Sequence, residues 1–122
     1  MEKDGDSLIN FNKILNLSKG DNGIVVDLTY SYINMLEEFM TDYQEAWADL
    51  DVEKFRLKTH KLKGSIRYLE VKYLEDAINK FRGELFEGSA TLQMAEESKE
   101  EVFGLCNRIL DELQQKIVLY KD

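Results

Sequence analysis

No proline interrupts this chain of 122 residues, and apolar residues recur along almost all of it at spacings of three and four. The backbone can therefore continue as helix nearly everywhere, and the period is that of amphipathic helices that bury one stripe each. Three of the glycines, Gly20, Gly23 and Gly88, fall at plausible joints. The spacing predicts a short helix over 9–17, with Phe11, Ile14 and Leu15 turned inward, and a turn over 18–22. A long helix over 23–48 follows, with Leu28, Tyr32, Met35, Leu36, Phe39 and Tyr43 as its buried stripe. A tight link over 49–51 places Asp51 as the N-cap of a helix over 52–69. Helices over 72–86 and 92–120 complete the chain, with Thr91 as the expected cap of the last. Met94, Val102, Leu105, Ile109, Leu113 and Ile117 form that helix's apolar stripe. No segment reads as a strand. Short connections make successive helices antiparallel neighbours, so the expected class is all-α: an antiparallel up-down four-helix bundle with a short additional N-terminal helix. Its length suits one domain over 1–122, with 1–7 expected as a flexible N-terminus.

Composition narrows the setting. A hydrophobic content of 43% is ordinary for a globular chain. The first residues are acidic and polar, unlike a secretory signal, and the longest aliphatic run, Ile24-Val25-Val26, is far too short to span a bilayer. A soluble, cytoplasmic chain with no membrane partner is expected. The single cysteine, Cys106, excludes an internal disulfide and a multi-cysteine metal site, and its place on the apolar side of the last helix suits a small buried hydrophobe. Trp47 and the tyrosines are expected in the bundle core or at its rim. A net charge of −8 argues against nucleic acid as a partner. The charge is uneven, however: residues 54–72 hold seven Lys or Arg and one acid, Glu70. A basic strip on an acidic chain suits a local anionic partner.

The 52–69 segment places its one histidine where chemistry is possible. On a helical wheel Phe55, Thr59, Leu62, Ile66 and Leu69 fall within roughly 40° of one direction, and His60 points about 140° away from them, toward water. Arg56 lies one turn before it; Lys63, Gly64 and Arg67 follow at three, four and seven positions, on the same outer face. A neutral imidazole nitrogen is a good nucleophile toward phosphorus near neutral pH. Cations beside it can pair with phosphoryl oxygens, and in-line transfer needs clearance for the incoming group. Gly64 leaves that space open, although glycine inside a helix costs about 1 kcal/mol relative to alanine.

The string His60-Lys61-Leu62-Lys63-Gly64-Ser65 resembles the His-x-Leu-Lys-Gly-Ser signature of histidine-containing phosphotransfer (HPt) domains, the intermediate carriers of two-component phosphorelays. Asp51, nine positions before His60, the long preceding helix and the total length also fit, so the resemblance covers nearly the whole chain. It implies that His60 is phosphorylated through Nε2, that Lys63 contacts the phosphoryl group, and that Gly64 gives clearance. It further implies a phosphocarrier rather than an enzyme, with no cofactor of its own. The Mg²⁺ and the acidic pocket would belong to partner receiver domains of response regulators or hybrid kinases, whose aspartate exchanges the group with His60. Arg56, Leu57, Lys61 and Arg67 would serve docking.

Two positions depart from the pattern. Ile66 stands where the family usually has a second small residue, and Glu70-Val71 stands near a position where glycine is common, which leaves the shape of that turn open. Other readings compete. Charge runs are most often solvated faces, and Lys54, Lys58 and Lys72 read that way. Leu57 falls outside the core arc beside His60, either as ordinary surface or as part of an apolar docking patch. A regulatory HPt-like module that binds a receiver or kinase without carrying phosphate is the alternative function. A metal-dependent hydrolase is disfavoured, since one outward-facing histidine and no clustered ligand motif supply no metal site. A monomer is expected, because no second apolar stripe is evident.

Overall fold

The computed structural model describes residues 8–48, 53, 56, 57, 60, 69–88 and 91–121. Among these there are four bounded helices and no strand: α1 (Asn12–Ser18), α2 (Asn22–Ala48), α3 (Lys72–Phe86) and α4 (Leu92–Tyr120). Glu53, Arg56, Leu57 and His60 are also helical, and Leu69 ends in a 3₁₀ turn. None of the described helices is long and apolar enough to cross a membrane. Residues 1–7, expected as a flexible terminus, and the cap residue Asp51 lie outside the described residues.

Local chemistry explains the helix ends. Asp21 caps α2: its carboxylate accepts from the Ile24 N–H at 3.1 Å, satisfying a donor that the first turn leaves open. A Cβ on Gly23 would approach that same oxygen at 3.2 Å, so glycine there gives the cap room. Gly23 lies in the first turn of the helix, which begins one residue before the predicted start at 23. Thr91 caps α4 as the sequence predicts, accepting from the Met94 N–H at 3.1 Å. Between α1 and α2 the chain turns through left-handed Lys19 and Gly20, at φ 51° and 85°, and Gly88 does the same after α3 at φ 76°.

The core forms where α2 and α3 each pack along α4, with α1 against α2. Fully or almost fully buried side chains include Ile14, Leu36, Tyr43, Phe81, Ile109 and Leu113. Along α2 the expected stripe is offset. Val25, Ile33, Leu36, Phe39 and Tyr43 are buried, whereas Leu28, Tyr32 and Met35 are only half-buried. Thr29 joins the buried face because its hydroxyl donates to the Val25 carbonyl at 2.7 Å, which removes the cost of burying it. The tyrosines also divide. Tyr43 is in the core, but Tyr30 and Tyr73 are exposed at 44% and 36%; the Trp47 side chain lies outside the described set.

Residues ahead of α1 tie the ends of the chain together. The Leu8 N–H donates to Glu112 at 3.1 Å, and the Phe11 ring stacks on Tyr120 with centroids 5.9 Å apart. Lys116 adds a cation over the Phe11 ring at 5.3 Å. Phe11 therefore precedes α1, which begins three residues later than its apolar pattern suggests, because 8–11 are used as an anchor.

Cys106 is fully buried, and burial pushes its thiol from 9.0 up to about 12. Burial also pushes the Tyr43 phenol upward, outweighing the opposing effect of its bond to Ser98. In each case the fold keeps a proton that the unfolded chain releases, so stability is lost as pH rises above the unfolded value. Between pH 9 and 12, the unfolding free energy of the protein, read from urea titrations, is expected to fall by about 1.4 kcal/mol per pH unit for each ionising group. Cys106→Val should make that decline shallower; an unchanged slope would remove Cys106 from the explanation.

Candidate functional site

Glu53, Arg56, Leu57 and His60 fall three and four positions apart, so one strip of helix surface carries all four. Every one of them is exposed. His60 thus presents its imidazole to water, with Arg56 a turn earlier and Leu57 alongside. Leu57 is 62% exposed, more than most large apolar side chains described here. An apolar side chain that far out contributes nothing to the core.

Arg56 is engaged within its own helix. Its Nη2 lies 2.9 and 2.8 Å from the two carboxylate oxygens of Glu53, and its Nε donates at 3.3 Å. These hydrogen bonds, then the Glu53 charge, raise the guanidinium above its ordinary value. With side chains 57% and 64% exposed, the pair is screened and exchangeable, and contributes little to stability. Arg56, expected as a docking residue, is thus also paired with Glu53. Glu53 did not stand out in the sequence. The opposite charges at spacing three were the available signal.

Lys61, Lys63, Gly64 and Arg67 lie outside the described residues, as do Phe55, Thr59, Leu62 and Ile66. Leu69, the last member of that predicted core stripe, is fully buried. The turn that follows has an unusual backbone: Glu70 adopts φ 58° without being glycine, a left-handed conformation that side chains resist. Its neighbours hold it there. The Asn10 N–H donates to the Leu69 carbonyl at 2.7 Å. Asn10 Nδ2 reaches Glu70 Oε1 at 3.4 Å, and Lys13 pairs with the other oxygen at 3.3 Å. Closing the turn, the Lys72 N–H donates to the Glu70 carbonyl at 2.9 Å.

Strain and contacts therefore oppose each other at position 70. Relief of a left-handed side chain is worth roughly 1 kcal/mol, against the added freedom of an unfolded glycine and a few tenths for exposed contacts. Glu70→Gly is expected to unfold in urea within about 0.5 kcal/mol of wild type, whereas β-branched Glu70→Val should lose about 1–2 kcal/mol. Equal losses for both would mean that the side-chain contacts, and not the backbone, control the turn.

Elsewhere the described surface offers less chemistry. A cleft between α3 and α4 is lined by Phe81, Met94, Lys80, Glu84, Glu97 and Glu101 among others. Among the described residues no group of three or more His, Cys, Asp or Glu is placed to hold a metal ion.

Comparison of the chain with family models gave no match. Neither a curated protein nor a solved structure matched it. The functional reading therefore stands on the residues themselves.

Proposed function

We propose that this chain is a histidine phosphocarrier, a single-domain member of the HPt type that it resembles. The observation that carries the reading is His60: it is helical and exposed, and it opens the string His60-Lys61-Leu62-Lys63-Gly64-Ser65. A core role does not account for an imidazole in water, and the chemistry of phosphoryl transfer uses one. In the forward step a His60 ring nitrogen attacks the phosphorus of a receiver's aspartyl phosphate. The bond from phosphorus to the aspartate oxygen breaks, and the carboxylate leaves. Lys63 balances charge on the equatorial oxygens, Gly64 keeps the approach clear, and Mg²⁺ acts from the receiver's side. A second receiver reverses the step and takes the group onward. The chain has no turnover of its own.

Arg56, Leu57, Lys61 and Arg67 are the docking residues in this reading, with a monomer working in the cytoplasm as the functional form. The helices are arranged as an up-down antiparallel bundle. Two contacts support that: Tyr43, late in α2, hydrogen-bonds Ser98, early in α4, at 2.7 Å, and Phe11, just before α1, stacks on Tyr120 at the end of α4.

The test is direct. The protein is mixed with receiver domains charged at their aspartate, with Mg²⁺, and followed by intact mass. An adduct of one phosphoryl group that is acid-labile, alkali-stable and located at His60 is expected. No adduct with any of several receivers would overturn the carrier reading and favour a binding module that keeps the motif without its chemistry.

A further inference from the structure

Away from His60, the molecule has a surface of the opposite charge. We propose that the cleft between α3 and α4 is a docking groove for a basic amphipathic helix of a partner protein. The inference goes beyond the carrier reading and does not depend on it, since it concerns other helices and another kind of partner.

Both helices shape the groove. α3 lines it with Ala77, Phe81 and Glu84, and α4 with Met94, Glu97 and Glu101. Each helix also extends that face away from the connection at 87–91. On α3 the next position is Tyr73, four residues before Ala77, and its side chain is 36% exposed. On α4 Gly104 follows Glu101 by three positions and Glu97 by seven, so it continues their strip. From Tyr73 to Glu84 the face runs about 17 Å, three turns of helix.

Gly104 distinguishes this surface from an ordinary acidic face. It is exposed and stands well inside the 29-residue helix α4, where glycine weakens the helix. Its backbone is not left-handed, so no turn requires a glycine there. A Cβ at that position would meet nothing within 4 Å, so internal packing does not require one either. Bare backbone beside a groove suits the close approach of a helix from outside.

Charge identifies the occupant. Residues 84–101 hold six acids and one lysine, and that lysine, Lys99, lies 3.8 Å from Glu96. Glu97 and Glu101 are exposed one turn apart on the α4 side. Lys80 is the one cation among the described lining residues. A helix with apolar residues at spacings of three and four would lay them on Met94, Ala77 and Tyr73, with its flanking Lys or Arg against Glu97 and Glu101. The same carboxylates repel an acidic segment. The groove and the basic stretch 54–72 therefore select partners of opposite charge.

The test uses the full chain and a synthetic helical peptide of Leu, Ala and Lys, about 14 residues long, with its leucines on one face. A second peptide keeps every lysine and carries glutamine for each leucine. Fluorescence anisotropy at about 50 mM salt measures affinity, and amide NMR shifts locate the contact. The leucine peptide is expected to bind, with shifts over 73–84 and 94–104. Glu97→Gln/Glu101→Gln should weaken it about tenfold. An equal change of charge at exposed positions of α2, Glu37→Gln/Glu38→Gln, should weaken it less than about twofold. Gly104→Gln should raise the melting temperature, since glutamine is the better helix former, yet weaken binding about threefold or more.

An absence of binding overturns the inference. So does equal binding of the glutamine peptide, or equal weakening by the two double variants, because charge alone would then explain the contact. Shifts centred outside 73–104, or a Gly104→Gln protein that binds as wild type does, overturn it as well. No outcome involves phosphoryl uptake at His60, so the carrier reading stands or falls by its own test.

Discussion

Replacing His60 with glutamine is expected to abolish phosphoryl uptake and leave the fold intact. The glutamine amide nitrogen has its lone pair drawn into the carbonyl, so no nucleophile remains where the imidazole nitrogen stood. On the carrier reading the loss should be complete, at least about 10³-fold and limited only by detection. The structural cost should be small, because the side chain is exposed and helical. Glutamine is a somewhat better helix former than histidine, so the change in stability should stay within about 0.5 kcal/mol. Transfer assays and melting curves on the same preparations separate the two effects. Uptake that survives in His60→Gln would move the acceptor to another residue. A variant that melts far below wild type would show a structural role that exposure does not predict.

The second large effect is expected at Tyr43. Its side chain is fully buried, with Phe39 at 5.5 Å and Phe103 at 6.3 Å between ring centroids. Its hydroxyl shares a 2.7 Å hydrogen bond with Ser98, so one residue joins apolar packing in α2 to a polar contact on α4. Tyr43→Ala removes both and opens a cavity that the flanking Phe39 and Phe103 rings cannot fill. A loss of about 3–5 kcal/mol is expected, a large share of the roughly 5–15 kcal/mol that stabilises a typical domain. Tyr43→Phe keeps the ring and gives up the bond, and should cost only about 1 kcal/mol. Urea unfolding of the two variants measures the difference. Similar losses for both would mean that the hydrogen bond, and not the packing, dominates.

Much of the helical layout was legible because it is local. The period of apolar residues located α2, α3 and α4 to within a residue, and Thr91 announced its cap through its side chain's ability to satisfy an open N–H. Cys106 followed from its place on an apolar face. The stripe of α2 was less accurate. A helix that packs against α4 along one face and α1 along another has no single buried direction, so Val25 and Ile33 are covered while Leu28 and Tyr32 are covered only in part.

For the candidate site, the outward direction of His60 and Leu57 was legible from the wheel, and both are exposed. The partner of Arg56 was overlooked although its spacing is local. A surface charge has several possible neighbours, and only the arrangement of side chains selects Glu53.

By itself, then, the sequence determined that this chain is helical, where most helices begin and end, and which residue carries a nucleophile toward water. Each of those depends on neighbours within about four positions, where period and capping act. Only the tertiary structure decided the rest. It used residues 8–11 as an anchor, because Glu112 and Tyr120, over a hundred positions away, lie beside them. It also put Glu70 into a left-handed turn that no residue in 69–72 signals, because Asn10 and Lys13 reach across from the start of the chain to hold it. Contacts at such separation depend on how the helices pack, and packing is a property of the whole chain.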